Sequence, residues 1–207
     1  MDNEVIEILT RVGGILPNSH FVGTSGLHFD TYVNKDCLYP HTKETSRIGR
    51  IFADKFKDAD IQVVVGPALG GIIISQWTAY YLSEIHKMEI LGVFTEKTPE
   101  GGQKITRGYD KYVKNKKVLV VEDIVTTGGS MAKTVKAVQD AGGNVVAACA
   151  MINKYENMGS EVLGVPFFAL ADLFVPTYGS EQCPICKAGI PIDTTVGHGK
   201  KFLESQI

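Results

Sequence analysis

Apolar residues follow two rhythms along this chain of 207 residues. In some stretches they recur every three or four positions; in others they run nearly unbroken. Val5, Ile8, Leu9 and Val12 fall on one face of a helix over Val5–Leu16, with Gly13-Gly14 near its end and Pro17 as its stop. Ile48, Ile51, Phe52 and Phe56 do the same for His41–Phe56. Between them, His20–Asp36 scatters Phe21, Tyr32 and Val33 among Gly, Thr, Ser and Asn, which reads as extended structure with turns. Beyond residue 60 short apolar, β-branched runs take over: Ile61–Val65, Ile90–Phe94, Val118–Val121, Val145–Ile152 and Phe167–Leu173. Helical patterns separate some of them, from Ile72 to Ile85 and from Met131 to Ala141.

A strand that is apolar at every position belongs in a sheet buried on both faces, and the interleaved helices supply the cover. The pattern predicts an α/β fold with an open, mainly parallel central sheet flanked by helices. Residues 1–40 and 176–207 break the rhythm. They are assigned to a small hood on a single domain whose core spans about 41–175. The hood is expected over the carboxyl ends of the strands, the edge where such sheets bind ligands.

Composition narrows the function classes. The formal net charge of −2 offers no positive footprint for nucleic acid. No apolar run approaches the ~18 residues of a spanning helix, and the acidic start Met-Asp-Asn-Glu lacks an apolar signal core. A cytoplasmic protein without nucleic-acid or membrane partners is expected. Cys37 and Cys149 stand alone and only Cys183 and Cys186 are close, so the cysteines do not form a disulfide framework.

The sharpest chemical signal is Val118-Leu119-Val120-Val121-Glu122-Asp123-Ile124-Val125-Thr126-Thr127-Gly128-Gly129-Ser130. A buried strand ends in two adjacent carboxylates, and a loop of small residues then opens a helix. Glycines let backbone wrap a phosphate. Free N–H groups at the helix start favour an anion, and Thr and Ser hydroxyls add donors. Adjacent carboxylates repel each other, so a plain tight turn does not account for them; they suit vicinal ribose hydroxyls or a metal-bound sugar. A Walker loop is excluded because no Lys follows the glycines, and a dinucleotide fingerprint because Gly-x-Gly-x-x-Gly is missing.

This block resembles the signature by which type I phosphoribosyltransferases bind 5-phosphoribosyl-1-diphosphate (PRPP). Within that group the chain is most similar to the orotate phosphoribosyltransferases, over nearly its full length. Phe21-Val22-Gly23-Thr24-Ser25-Gly26-Leu27-His28 is similar to the N-terminal Phe…Ser-Gly element, and Gly66-Pro67-Ala68-Leu69-Gly70-Gly71 to the diphosphate loop. Glu96-Lys97 and Arg107-Gly108 resemble the ends of the mobile catalytic loop. Cys183-Pro184-x-Cys186 with Gly189-Ile190-Pro191 resembles a C-terminal element of bacterial members.

The resemblance implies roles. Glu122 and Asp123 would hold the ribose hydroxyls. Ile124, Val125, Thr126, Thr127, Gly128, Gly129 and Ser130 would cradle the 5′-phosphate, and Ala68, Leu69, Gly70, Lys97 and Arg107 would meet the rest of PRPP. Lys97, Asp123 and Glu122 are the catalytic candidates. Thr126, Lys154, Ser25 and His28 are the base-binding candidates, although a plain surface role for His28 stands beside that reading. Mg²⁺ would arrive through PRPP, with Asp123 as the one protein group considered for direct contact. Thr95–Lys117, rich in Gly, Lys, Pro and Thr, would be a lid reaching into the neighbouring subunit of a homodimer.

The chain departs from the common pattern at Thr24, where many members carry Lys; at Leu69-Gly70, where many carry Tyr-Lys; and at Lys154, where an Arg is expected to hold the orotate carboxylate. Orotate is the favoured acceptor. A purine or uracil enzyme remains open, as does a PRPP-binding regulator without turnover. Cys183-x-x-Cys186 offers two of the four ligands zinc needs, with Cys37 or His198 to complete it; a structural turn is the preferred reading. His198 and Lys200 read as a mobile terminus rather than a phosphate contact, and Trp77 as core.

Overall fold

The computed structural model describes residues 3–205. Helix α1 (Glu4–Arg11) begins where the Asn3 side chain accepts from the Val5 N–H, and it buries Val5, Ile8 and Leu9. It is shorter than its apolar pattern. Gly13 adopts φ +74°, and the chain then turns into β1 (Ile15–Leu16). Strands β2 (Phe21–Val22) and β3 (His28–Phe29) form a hairpin, β4 (Tyr32–Val33) returns to pair with β1, and a 3-10 turn follows at Lys35–Cys37.

The core begins with α2 (Thr42–Lys55), β5 (Val63–Pro67), α3 (Gly70–His86) and β6 (Leu91–Lys97). It continues with β7 (Gln103–Ile105), α4 (Asp110–Val113), β8 (Lys117–Val125), α5 (Gly129–Asp140), β9 (Asn144–Asn153), α6 (Ser160–Leu163) and β10 (Phe167–Asp172). Six strands form one sheet in the order β10-β9-β8-β5-β6-β7, parallel throughout except that β7 runs antiparallel to β6. Alternate residues feed two cores. Val64, Leu119 and Val121 meet Ile48, Phe52, Ile74 and Leu82 on one face, while Val63, Val65, Val118 and Val120 meet Met131, Val135 and Val138 on the other. Each such fully buried side chain contributes about 1.5–3 kcal/mol of transfer free energy.

The chain passes from β5 outward to β6 on one side, then restarts at β8 on the other side of β5. The order therefore reverses between β5 and β8, and their carboxyl ends open a crevice at that switch point. The two loops singled out in the sequence, after Pro67 and after Val125, leave the sheet there.

Within Thr95–Lys117, Thr95 pairs with Ile105 and Lys97 with Gln103, α4 follows, and the turn between the two strands is Thr98–Gly102. Two expectations need correction. Trp77 is half-buried rather than core. Its backbone lies against α2, where a Cβ on Gly49 would stand 2.3 Å from the Trp77 Cβ, and its ring packs on Tyr80 and Tyr81. The stretch around His198 and Lys200 is part of a folded C-terminal segment rather than a loose end. That segment contains α7 (Pro184–Lys187) and α8 (Gly199–Glu204), Tyr178 bridges to β3, and the His198 N–H donates to the Val22 carbonyl at 2.9 Å. The hood is thus a joint product of both ends of the chain. No helix among the described residues is long and apolar enough to cross a membrane.

Candidate active site

The end of β8 carries Glu122 and Asp123 below the surface, 8% and 6% exposed, while Thr126, Thr127, Gly129 and Ser130 stand exposed above them. Gly128 takes φ +77°, which only glycine adopts readily, and brings the chain into α5. A side chain there would also strike Met158, 2.9 Å from the position of a Cβ. The first backbone bond of α5 runs from the Ala132 N–H to the Gly128 carbonyl, and no side chain caps the helix. The preceding N–H groups thus have no partner within the helix and favour an anion. Glu122 and the loop from Ile124 through Met131 line a small cavity of about 40 Å³ at this point.

The two carboxylates have different surroundings. Asp123 Oδ2 accepts from the Tyr39 hydroxyl at 2.7 Å and from Lys35 Nζ at 2.8 Å, and Oδ1 accepts from the Ile124 N–H at 2.7 Å. Burial and the Asp123 charge push the Tyr39 phenol far up, so it remains a donor. Burial alone would lower Lys35, but Asp123 outweighs it and the ammonium is raised. Glu122 is less well held: Ser130 and the charges of Lys35 and Lys97 favour its carboxylate, but its Oε2 is buried without a hydrogen-bond partner among the described residues. Burial, then the neighbouring Asp123 charge, raises its carboxyl to about 8.

The loop after β5 closes on the same pair. The Ala68–Leu69 peptide is cis, Leu69 is 81% exposed, and Gly70 opens α3 directly against Asp123. A Cβ on Gly70 would stand 1.7 Å from Asp123 Oδ2 and 2.2 Å from the Tyr39 hydroxyl. Lys97 ends β6 exposed and contributes an attractive charge to Glu122. Arg107 is turned elsewhere: it grips Glu96 at 2.6 Å, with Thr106 bonded to the same carboxylate, and lies over the Phe94 ring.

Lys154 follows β9, and its N–H donates to the Val125 carbonyl at 2.8 Å, which sets it beside the end of β8. Burial lowers its pKa, and its Nζ lies 5.3 Å from the centroid of Phe29 in the hood hairpin. Ser25 sits exposed at the tip of that hairpin. His28 does not face this region. Its ring is buried against His20, Cys186 and Phe202, because β3 alternates and directs Phe29 to the opposite side. Cys183 and Cys186 gather with His20 and His28, rather than with Cys37 or with His198, whose ring is bonded to Thr24. Sequence reasoning missed Lys35 and Tyr39, which reach Asp123 from far away in the chain.

A family model described as the phosphoribosyl transferase domain matches residues 35–161. This chain belongs to the phosphoribosyltransferase family. Among curated relatives of this phosphoribosyltransferase, the orotate phosphoribosyltransferase of Thermoanaerobacter sp. is 36% identical over 91% of this chain and 94% of its own length. That of Thermotoga maritima is 37% identical over 94% of this chain and 98% of its own. Among solved structures, the orotate phosphoribosyltransferase of Aeropyrum pernix superposes with a TM-score of 0.66 at 24% identity, covering 82% of this chain and 93% of that one. The Mycobacterium tuberculosis enzyme in complex with PRPP gives 0.63 at 23% identity, covering 83% and 97%. These structures share the type I phosphoribosyltransferase fold with this chain.

Proposed function

We propose that the chain transfers the 5-phosphoribosyl group of PRPP to orotate, giving orotidine 5′-monophosphate and diphosphate. The observation that carries this reading is the juxtaposition of the buried Glu122–Asp123 pair with the uncapped start of α5 at the switch point of the sheet. The curated relatives at 36% and 37% identity, named orotate phosphoribosyltransferases, support the choice of acceptor.

In this reading the 5′-phosphate sits on the Thr126–Ser130 loop, where N–H and hydroxyl donors converge on a dianion. The ribose hydroxyls donate to Glu122 and Asp123, and Glu122 Oε2 gains the partner it lacks. Diphosphate lies along Ala68–Gly70 with Lys97 beside it. Orotate nitrogen attacks the anomeric carbon as the bond to diphosphate breaks, with inversion; the electron pair leaves on the diphosphate, and the nitrogen's proton passes to the departing diphosphate or to solvent. Catalysis is then positioning and charge stabilisation. Lys154 supplies the charge for the orotate carboxylate without the planar fork of an arginine, with Thr126 and Ser25 as the other candidates for the base.

Mg²⁺ fits this donor set. Glu122 offers an unpartnered hard oxygen, whereas Asp123 is already committed to Tyr39, Lys35 and Ile124, so both would act on the water or sugar shell of a PRPP-bound ion rather than as a cage. When bound, the ion neutralises charge on the departing diphosphate. The reading includes a cytoplasmic homodimer with a shared site. The 53%-exposed Tyr80 on α3, the helix that follows the diphosphate loop, supports an interface there.

Product analysis tests the proposal. Incubation with PRPP, Mg²⁺ and orotate is expected to yield orotidine 5′-monophosphate and diphosphate in equal amounts. PRPP binding without any product would contradict it.

A further inference from the structure

We propose that His20, His28, Cys183 and Cys186 form a zinc site that staples the two halves of the hood. Their ligand atoms all lie within 4.8 Å of one another, and three of the four residues are buried. Cys186 Sγ stands 3.3 Å from His28 Nδ1 and 3.6 Å from His20 Nε2, and Cys183 Sγ 3.9 Å from His20 Nε2. Bond lengths of about 2.0 Å to nitrogen and about 2.3 Å to sulfur put tetrahedral N–S edges at roughly 3.5 Å. The His20–His28 edge is 2.8 Å and would open by about half an ångström to reach its tetrahedral length.

The surroundings are those of a ligand set. His20 Nδ1 lies 2.7 Å from the Ile190 carbonyl. The proton therefore belongs on Nδ1, and the Nε2 lone pair faces the cluster, the usual outer hydrogen bond of a metal-bound imidazole. The Cys186 N–H points at Cys183 Sγ at 3.5 Å, so that backbone donor is aimed where a thiolate would carry charge. His28, 1% exposed, has a second nitrogen buried without a hydrogen-bond partner among the described residues. Without a cation, two thiols and two imidazoles are packed together with few acceptors for their protons. Two sulfurs and two neutral imidazoles in a closed tetrahedral cluster select zinc over Mg²⁺, which takes oxygen.

The cluster joins the β2–β3 hairpin to the start of α7, 163 residues apart between His20 and Cys183. Loops of that length are where a crosslink restrains the unfolded chain most, and metal binding to a folded site adds directly to stability. The inference concerns the hood alone and stands whether or not the acceptor is orotate.

The test uses the full chain without a polyhistidine tag, with thiols kept reduced. Elemental analysis after gel filtration, or after zinc reconstitution, is expected to find about one zinc per chain. Cobalt is expected to produce thiolate charge-transfer bands and tetrahedral ligand-field bands. Stripping zinc is expected to lower the thermal midpoint and to expose two further thiols to a thiol reagent. The Cys183→Ser, Cys186→Ser double variant is expected to lose the metal. Should that variant fail to fold, cobalt titration of the chelator-stripped wild type decides the matter. Zinc absent after reconstitution, zinc retained by a folded double variant, or a Cys183–Cys186 disulfide in the reduced-handled protein would each overturn the assignment.

Discussion

Tyr39 donates its hydroxyl proton to Asp123 Oδ2 at 2.7 Å, reaching across 84 positions of sequence, and Lys35 grips the same oxygen. The pair fixes one carboxylate of the acidic doublet before any ligand arrives. Tyr39→Phe removes a hydrogen bond to a charged group, a loss of about 1.5 kcal/mol. That corresponds to roughly a tenfold rise in KM for PRPP, with the fold unchanged by circular dichroism. Steady-state kinetics with PRPP varied will check it.

Glu122 gives the ligand-free protein a pH signature. Its carboxyl is raised to about 8 in the fold, while an unfolded glutamate titrates at about 4.3. Between those values the folded chain holds a proton that the unfolded chain has lost, so this group makes stability fall as pH rises through that window. Glu122→Gln is expected to flatten that part of the profile, measured by urea unfolding at several pH values. If ribose hydroxyls donate to Glu122, PRPP binding at neutral pH releases a proton, detectable by calorimetry in buffers of different ionisation heat. The Gln variant should release none.

Gly70 tests how closely the diphosphate loop is packed on the acidic pair. Gly70→Ala places a methyl 1.7 Å from Asp123 Oδ2, so the loop or the carboxylate must move. A drop of about 100-fold in kcat/KM for PRPP is expected, on the scale of an ångström-sized displacement at a reacting centre. Gly179→Ala, where nothing stands within 4 Å of the new Cβ, is the control and should behave as wild type.

The sheet was legible because strands buried on both faces must be apolar at nearly every position, as in Val118–Val121. The loop chemistry was legible for the opposite reason: Glu122-Asp123 and Gly128-Gly129 are expensive residues for a plain strand end. What could not be read was convergence from a distance. Lys35 and Tyr39 sit in an irregular segment with no motif, and only the 3-10 turn aims them at Asp123. His20 and His28 lie in a hairpin with no metal-like spacing to Cys183 and Cys186, and the bridge between β3 and Tyr178 brings them together. Lys97–Arg107 looked like a loop because a three-residue edge strand, Gln103–Ile105, has too few positions to show an alternation.

Lys154 is partly buried, and burial lowers its pKa. Lysine loses charge as pH rises, so orotate KM is expected to climb at alkaline pH earlier than for an exposed lysine. Lys154→Arg should delay that climb, because guanidinium stays charged. Lys154→Gln is expected to reduce kcat/KM for orotate by roughly tenfold or more, on a loss of about 1.5–3 kcal/mol, and to leave KM for PRPP nearly unchanged. Paired titrations of the two substrates will separate these effects.

The most direct measurement is diphosphate release from PRPP with Mg²⁺, run in parallel with orotate, uracil, adenine, hypoxanthine and no base. Release with orotate alone is the predicted result. Release with another base in place of orotate, or silence with every base while PRPP still binds, would contradict the account.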